Sequence, residues 1–238
     1  MPSLLFLKTP YARSAEGKVL AVSGNGGLVL DQVLFYATSG GQPCDLGCIR
    51  WENGSARVTD VRKGVAGEIE VFVEPGANVP AEGASVIQEL DWERRNLHMR
   101  IHTALHLLSV VIPLPVTGGS ISTLKGRLDF DMPDAVTNKE ELEQRLNDLV
   151  DRDLPVTDET ISDEELAANP QLVKTMAVKP PTGAGLVRLV RIGSGEDTVD
   201  LQPCGGTHVA STAEIGPVRI GKIQKKGRRN RRVNIFLN

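Results

Sequence analysis

The sequence predicts an α+β protein, in which a small antiparallel β-barrel precedes a second domain that mixes helices with a mostly antiparallel sheet. Three observations support this fold class. Short apolar segments broken by turn residues fill positions 3–90, a long run with helical periodicity follows, and strand-like and helix-like segments alternate after it. The 238 residues, 40% of them apolar, can form two cores. We therefore predict domains at 1–90 and 91–238.

The barrel prediction depends on the turns between short apolar segments. A Gly-Asn-Gly-Gly turn and a Glu-Asn-Gly-Ser turn each separate two such segments, as in β-hairpins. The expected strands are 18–22, 28–30, 48–51, 56–61, 69–73 and 84–90. Many short strands joined by turns of this kind are typical of a small barrel.

The second domain is predicted to begin with an amphipathic helix. Apolar residues recur at helical spacing through 97–112, Asp91 is a suitable N-cap and Pro113 ends the run, which indicates a helix of about 21 residues. Thr137 and Ser162 each stand three residues before a glutamate, and this capping-box spacing predicts further helices. These helices are expected near 138–151 and 163–168, and strands at 186–192, 198–201, 217–223 and 232–237.

Composition excludes several classes of protein. No apolar run approaches the ~18 residues that a membrane-spanning helix needs, and the N-terminal apolar stretch is too short for a signal peptide. Three cysteines, an odd number, argue against a disulfide framework. We therefore expect a cytoplasmic protein that does not bind membranes. An aromatic content of 4% also argues against binding nucleic acid mainly by base stacking.

The net charge of −3 hides a separation of charge along the chain. Residues 134–165 hold twelve acids and three bases, whereas residues 215–238 hold eight bases and no acid. Six of these bases surround a predicted hairpin tip: Lys225, Lys226, Arg228, Arg229, Arg231 and Arg232. This tip is either a solvated turn or a surface that contacts nucleic-acid phosphates.

Two pairs of metal-binding side chains have matching spacing. His102 and His106 lie four residues apart on one face of the predicted helix, and Cys204 and His208 flank Gly-Gly-Thr. One such pair alone is more often structural, but two pairs favour one shared site. Three imidazoles and one thiolate suit zinc best, so we predict one Zn²⁺ per chain. The remaining histidine, His98, is interpreted as a surface or capping residue.

Two familiar zinc enzymes do not fit this spacing. A His-Glu-x-x-His protease needs glutamate where Thr103 stands. A zinc deaminase needs glutamate and a second cysteine where the chain has Ala104 and Thr207. The glycine-rich segment 39–47 likewise lacks the lysine of a phosphate-binding P-loop, so by itself it predicts only a sharp turn.

Taken in chain order, the motifs resemble the editing domain of alanyl-tRNA synthetase. The similarity is carried by Phe35-Tyr36, the 40–47 loop, His-Thr-Ala-Leu-His-Leu-Leu at 102–108, Gly119-Ser120, Leu128-Asp129-Phe130, Cys-Gly-Gly-Thr-His at 204–208, Glu214-Ile215-Gly216, Lys226-Gly227 and Arg231-Arg232-Val233. Thr117-Gly118 departs from the family, because many relatives carry Gln-Lys there. The length and the N-terminal barrel are similar to the free-standing, medium-sized AlaX proteins.

The resemblance implies hydrolysis, in trans, of the ester that joins serine or glycine to alanine tRNA. A synthetase pocket for alanine cannot exclude smaller glycine and rejects serine poorly, so a second, hydrolytic site is needed. Zinc would be held by His102, His106, Cys204 and His208. The candidate catalytic residues of the pocket are Thr103 and Thr207, and the candidate substrate loop contains Gly40, Gly41, Gln42 and Asp45.

Two other functions remain open from the sequence. In the first, zinc is purely structural and the protein is a non-catalytic module that binds the acceptor end of tRNA. In the second, the protein is a zinc hydrolase of small esters or amides that does not need the tRNA body. Four protein ligands are typical of a structural zinc site, whereas a catalytic zinc normally keeps one position for water.

Overall fold

The computed structural model describes residues 2–133, 138–175 and 185–238. The chain divides into two compact units, the barrel unit (Met1–Asn96) and the second unit (Leu97–Asn238). Each unit has mostly antiparallel strand pairing, and the predicted α+β class is confirmed. No helix in the described ranges is long and apolar enough to span a membrane.

The barrel unit is built from short strands joined by tight turns. Its elements are β1 (Ser3–Leu4), α1 (Leu5–Lys8), β2 (Ser14–Val22), β3 (Leu28–Leu30), β4 (Gln32–Val33), β5 (Gly47–Trp51), β6 (Gly54–Lys63), β7 (Ile69–Val73) and β8 (Ser85–Leu90). Six strands close into a barrel in the order β2-β3-β7-β6-β5-β8, and β1 pairs with β4 in parallel. The predicted barrel is therefore confirmed.

Alternation along the strands fills the barrel interior. β2 and β8 each place every second residue inward, so that Val19 and Val86 are buried while Lys18 and Ile87 are exposed. The inward residues form one apolar cluster that includes Leu28, Leu30, Val33, Phe35, Ile49, Val58, Val61, Ile69 and Val71. This apolar cluster is the core of the barrel unit.

Helix α2 (Trp92–Val111) begins and ends where the sequence predicts. The Asp91 carboxylate accepts a hydrogen bond from Arg94 N (3.1 Å), which is the contact of an N-cap, and Pro113 follows the last turn. One correction concerns His98, whose side chain is fully buried rather than at the surface.

The second unit contains two antiparallel sheets. Its other elements are β9 (Val116–Ile121), β10 (Lys125–Asp131), α3 (Lys139–Asp151), β11 (Val156–Ser162), α4 (Asp163–Ala168), β12 (Leu186–Ile192), β13 (Asp200–Pro203), β14 (Val218–Ile220), β15 (Gln224–Lys225) and β16 (Asn230–Leu237). One sheet has the order β14-β16-β10-β9, with β15 on β16, and the other has the order β11-β12-β13. Strand β12 matches its prediction residue for residue.

The capping of the two short helices agrees with the sequence in one case only. Ser162 and Glu165 form the expected capping box at the start of α4. For α3 the N-cap is Asn138, whose side chain accepts from Glu141 N (3.0 Å), so the prediction of Thr137 was one residue too early. Thr137 itself lies outside the described residues.

Candidate metal centre

Helix α2 presents a polar stripe beside its apolar face. Its apolar face packs tightly on β10, where a Cβ at Gly126 would lie 2.7 Å from Ile101 Cγ2 and 3.1 Å from Leu105 Cδ1. Position 126 therefore needs glycine, because a side chain there would prevent the close approach of α2 to β10. His102 and His106 lie one residue further along the helix from these apolar contacts, on the neighbouring stripe. The packing of Ile101 and Leu105 thus fixes the direction in which the histidines point.

The Cys-Gly-Gly-Thr-His segment follows directly after β13, and Arg188 of β12 holds its backbone. Arg188 Nη1 donates to Cys204 O (2.9 Å) and Gly206 O (3.1 Å), and Cys204 N donates to Arg188 O (3.1 Å). Two glycines, Gly205 and Gly206, follow Cys204, and glycines in a tight turn commonly supply positive φ. However, neither has positive φ, and a Cβ at Gly205 would meet no atom within 4 Å.

The two predicted ligand pairs come together in space. One ligand atom from each of His102, His106, Cys204 and His208 lies within 4.8 Å of the others. Cys204 Sγ is 3.5 Å from His102 Nε2 and 3.3 Å from His208 Nε2. The ring centroids of His102 and His208 are 4.2 Å apart. We call these four residues the quartet, and they can hold a metal ion.

Hydrogen bonds behind the quartet orient two of its imidazoles. His106 Nδ1 donates to Asp200 Oδ2 (2.9 Å), which leaves Nε2 available to a metal. The Thr103 hydroxyl donates to Met99 O (3.0 Å), so His208 Nδ1 must be the donor in its 3.1 Å contact with Thr103 Oγ1. Both rings therefore turn Nε2 toward the centre of the quartet.

Charge and burial shift the pKa values of three quartet residues, and two of these shifts favour the form that binds a metal ion. Burial would raise the pKa of the Cys204 thiol, but electrostatic interactions with the imidazoles of His102 and His208 hold that pKa well below its ordinary value. Burial would lower the pKa of His106, but hydrogen bonds to Asp200 and Cys204 raise it to about 9. Burial and the charge of His102 lower the pKa of His208 to about 3. The thiolate of Cys204 and the neutral imidazole of His208 are metal-ligand forms, whereas a metal must displace a proton from the ring of His106.

The sequence reasoning missed two residues of this cluster, Asp200 and Gln202. Both are buried, and Gln202 Nε2 donates to Asp200 Oδ2 (2.8 Å). Alternation along a strand places positions 200 and 202 on one face, with Cys204 next in the same series. Polar residues at every second position before a candidate ligand were a signal available in the sequence. Thr207 is also buried, and its catalytic role stays a prediction.

The candidate substrate loop has a defined conformation within the barrel unit. Ser39 and Gln42 exchange backbone hydrogen bonds (2.9 and 3.1 Å) around Gly40 and Gly41, whose φ values of 56° and 84° match a type I′ turn. Gln42 and Asp45 are fully buried. The predicted contact of this loop with substrate stays a prediction.

Arg95 holds Asp45, the last polar residue of this loop. Arg95 Nε donates to Asp45 Oδ2 (2.9 Å), and both side chains are 0% exposed. The other guanidinium nitrogens donate to Pro10 O (3.0 Å) and Leu34 O (2.8 Å), and Tyr36 N donates to the same carboxylate oxygen (2.6 Å). These contacts fix the loop inside the barrel unit.

The six cations of the basic hairpin tip at β15 and β16 fall into three groups according to their partners. Arg229 forms a two-point ion pair with Asp131 (2.9 and 3.0 Å), and Arg232 forms one with Asp129 (2.8 and 2.9 Å). A second set, Lys225, Lys226 and Arg228, is exposed and has no ion pair within the described part of the chain. Arg231 donates to the backbone at Pro133 O (3.1 Å) and Gly227 O (3.2 Å).

Comparison with known proteins relates both units to tRNA synthetases. The family model described as "Threonyl and Alanyl tRNA synthetase second additional domain" matches residues 187–234, and "tRNA synthetases class II (A)" matches residues 8–94. The alanine–tRNA ligase of Pyrobaculum arsenaticum is 37% identical over 229 residues, which is 93% of this chain. The chain spans only 25% of that ligase.

Other relatives match from end to end. The alanyl-tRNA editing protein AlaX-M of Methanosarcina barkeri is 35% identical over 246 residues, covering 100% of this chain and 99% of that protein. The protein of the same name from Saccharolobus solfataricus is 32% identical over 241 residues, covering 98% of each. Their identity and coverage confirm the resemblance that the motifs indicated: this chain belongs to the AlaX-M family of alanyl-tRNA editing proteins.

Proposed function

We propose that this protein is a trans-editing hydrolase that deacylates mischarged alanine tRNA. The observation that carries the proposal is the assembled quartet, in a chain that aligns end to end with proteins named for alanyl-tRNA editing. An editing protein acts on an ester already made by a synthetase. The reaction is therefore the addition of water across the bond between the amino acid and the tRNA ribose.

The proposed substrates are Ser-tRNA(Ala) and Gly-tRNA(Ala). Binding alone discriminates weakly between small side chains that differ by a hydroxyl or a methyl group, so errors of these two kinds escape an alanine pocket. We further propose that Gly40, Gly41, Gln42 and Asp45 shape substrate selection, and that Thr103 and Thr207 belong to the reactive pocket.

The metal that we propose is zinc, one ion per chain. The quartet offers three nitrogen donors and one sulfur donor within 4.8 Å, a mixed set that suits the tetrahedral preference of zinc. A zinc ion there would supply a fixed positive charge that can polarise or orient the ester. The chain's own residues hold the ligands in place: Thr103 orients His208, and Arg188 fixes the backbone at Cys204.

The tRNA would be held in part by the unpaired cations of the hairpin tip, Lys225, Lys226 and Arg228. Exposed cations without acidic partners can neutralise phosphates and release counterions. Arg229 and Arg232 already face carboxylates, so we expect them to contribute less.

A deacylation assay tests the proposed activity. The purified protein is incubated with Ser-tRNA(Ala), Gly-tRNA(Ala) and Ala-tRNA(Ala), and loss of each ester is followed with time. We expect the two mischarged species to lose the amino acid faster than Ala-tRNA(Ala). Binding of all three without ester loss would instead support a non-catalytic module, which the closed four-ligand quartet also allows. Hydrolysis of free amino acid esters at the same rate would indicate a small-ester hydrolase.

Elemental analysis tests the metal. We expect about one zinc per chain in the wild type, as for a single four-ligand site, and loss of zinc from His102→Ala and Cys204→Ala. Cys48→Ala is the matched control, because that half-buried thiol belongs to the barrel unit and donates to Ile49 O (3.7 Å) rather than to a quartet residue. A zinc-free wild type that edits at full rate would eliminate the metal from the proposal.

A further inference from the structure

A buried polar cluster lies behind His106, and its centre is the carboxylate of Asp200. Oδ2 accepts from His106 Nδ1 (2.9 Å) and from Gln202 Nε2 (2.8 Å), while Oδ1 contacts Lys174 Nζ. The Asp200 side chain is 0% exposed, and that of Lys174 is 28% exposed. Every oxygen of this carboxylate therefore has a donor.

The pattern of donors fixes the tautomer of His106. Gln202 Nε2 also lies 3.1 Å from His106 Nδ1, but an amide N–H and an imidazole N–H cannot both donate to each other. Both groups donate to Asp200 instead, and Gln202 Nε2 lies 3.4 Å from Ser109 Oγ on its other side. With Nδ1 protonated, Nε2 is the nitrogen left to bind a metal.

Burying a carboxylate costs several kcal/mol before its partners compensate it, and an apolar side chain would fill the same space at lower cost. Asp200 does not cap a helix. Its side-chain contacts are with one quartet residue and with two side chains, Lys174 and Gln202, that stabilise its charge. Lys174 is itself anchored, because its backbone oxygen accepts from Val116 N (3.0 Å) at the start of β9. The contact that distinguishes this cluster from ordinary core packing is the one with His106.

We propose that Asp200 is a positioning residue for the metal centre: it fixes His106 as an Nε2 ligand and thereby strengthens metal binding by the quartet. The inference rests on the proposed function only in taking zinc as the ion. Carboxylates behind ligating histidines commonly contribute about 10- to 100-fold in metal affinity, by orienting the ring and raising its basicity. His208 has only a hydroxyl behind it, from Thr103, so the two imidazoles are supported unequally.

The test is the zinc dissociation constant of Asp200→Asn, measured by competition with a chromophoric chelator. We expect zinc to bind about 10- to 100-fold more weakly than in the wild type. Asp129→Asn is the matched control, because it removes another carboxylate of the same unit whose two cationic partners, Arg127 and Arg232, are not quartet residues. Its zinc affinity should equal that of the wild type.

The zinc measurements can overturn the positioning role of Asp200 separately from the proposed function. Equal zinc affinity of Asp200→Asn and the wild type, or an equal loss in Asp129→Asn, would overturn the positioning role but leave the proposed function intact. A wild type that binds no zinc would overturn the positioning role together with the zinc assignment, and the deacylation assay would still decide the proposed activity. Should Asp200→Asn fail to fold, nitrogen NMR of the zinc-loaded wild type gives a second reading: a proton on His106 Nδ1 supports the proposal, and metal on Nδ1 refutes it.

Discussion

Asp45 in the barrel unit and Asp200 in the second unit are both carboxylates with 0% side-chain exposure, but they face different partners. Asp45 meets the guanidinium of Arg95, whose nitrogens also bind two backbone oxygens. Asp200 meets an imidazole whose other nitrogen faces a thiolate, and an ammonium that reaches solvent. The first carboxylate contributes to the architecture of its unit, while the second contacts a residue of the candidate metal centre.

The difference lies in what the cationic partner can still do. An arginine never loses its proton in a protein, and its five donors leave no acceptor for a metal or substrate. A histidine held at one nitrogen keeps a second nitrogen that can bind a metal or exchange a proton. A buried carboxylate thus indicates a functional site when its partner is histidine, and a structural clamp when its partner is arginine. The predictions below test that distinction.

The largest effect is expected from Arg95→Met, which leaves Asp45 buried without its cation. Breaking a buried pair on one side typically costs about 3–5 kcal/mol in the free energy of unfolding. Trp51 and Trp92 both lie in the barrel unit and are the only tryptophans of the chain, so their fluorescence during urea unfolding reports on this unit. We expect a large fall in the urea midpoint.

The control for this variant is Arg62→Met, which removes the exposed ion pair with Asp60. Exposed pairs contribute about 0–1 kcal/mol, so its midpoint should barely move. Zinc content should be unchanged in both variants. Similar midpoints for Arg95→Met and Arg62→Met would show that the buried pair is not the clamp we describe.

The turn that Asp45 helps to hold gives the next prediction, through alanine at Gly40 and Gly41. Both have positive φ, where an alanine costs roughly 1–2 kcal/mol per residue. The double variant should unfold at lower urea and remove serine from Ser-tRNA(Ala) more slowly, with zinc retained. Gly24→Ala is the control, because a Cβ there meets nothing within 4 Å and φ is not positive. If the double variant deacylated Ser-tRNA(Ala) at the wild-type rate below saturation, the loop would be only a connector between strands.

Local signals explain how much of the fold the sequence could predict. The strand at 28–30, the strand at 69–73 and helix α2 followed from turn residues and periodicity, which depend on nearby residues only. Strands β9 and β11 were not predicted. β9 contains Thr-Gly-Gly-Ser and β11 is largely polar, so neither has an apolar pattern. β9 forms by pairing with its neighbour β10, and β11 by pairing with β12, which lies beyond α4 in the chain.

The candidate site was likewise predictable only where its residues are close together in the sequence. The quartet was predictable because each ligand pair has a short, recognisable spacing within one segment. Asp200 acquires its role only through His106, which lies 94 positions earlier in the chain. The division of the hairpin cations into paired and unpaired sets likewise depends on Asp129 and Asp131, on a strand that no local pattern indicated.

The paired and unpaired cations of the hairpin tip are expected to have unequal effects on tRNA binding. We expect the triple variant Lys225→Gln, Lys226→Gln, Arg228→Gln to have a shallower slope of log affinity against log salt concentration. The slope should fall in magnitude by about 2 to 3, because three phosphate contacts are lost. Turnover at saturating tRNA should not change. Arg229→Gln with Arg232→Gln, which removes cations already facing carboxylates, should flatten it less. If the triple variant kept the wild-type slope, the hairpin tip would be a solvated turn.

The smallest effect is expected at Asp129, whose side chain is 12% exposed and therefore slightly less buried than those of Asp45 and Asp200. Its two cationic partners are Arg127 and Arg232. Burial would raise the pKa of Asp129, but hydrogen bonds and charge from Arg232 and Arg127 lower it. A group with a lowered folded pKa stabilises the protein fully above its unfolded pKa of about 3.9, and loses that contribution as pH falls through the folded value.

The stability difference between wild type and Asp129→Asn should therefore be constant near neutral pH and shrink below about pH 4. Urea unfolding of metal-free protein, followed by far-ultraviolet circular dichroism, measures this difference while other acids cancel between the two proteins. Asp131→Asn is the control: its partner Arg229 is 65% exposed, so this variant should differ little from wild type at any pH. If the stability difference between wild type and Asp129→Asn persisted to pH 2, the variant would act through packing rather than charge. Partial burial between two arginines would then not give this carboxylate an electrostatic role.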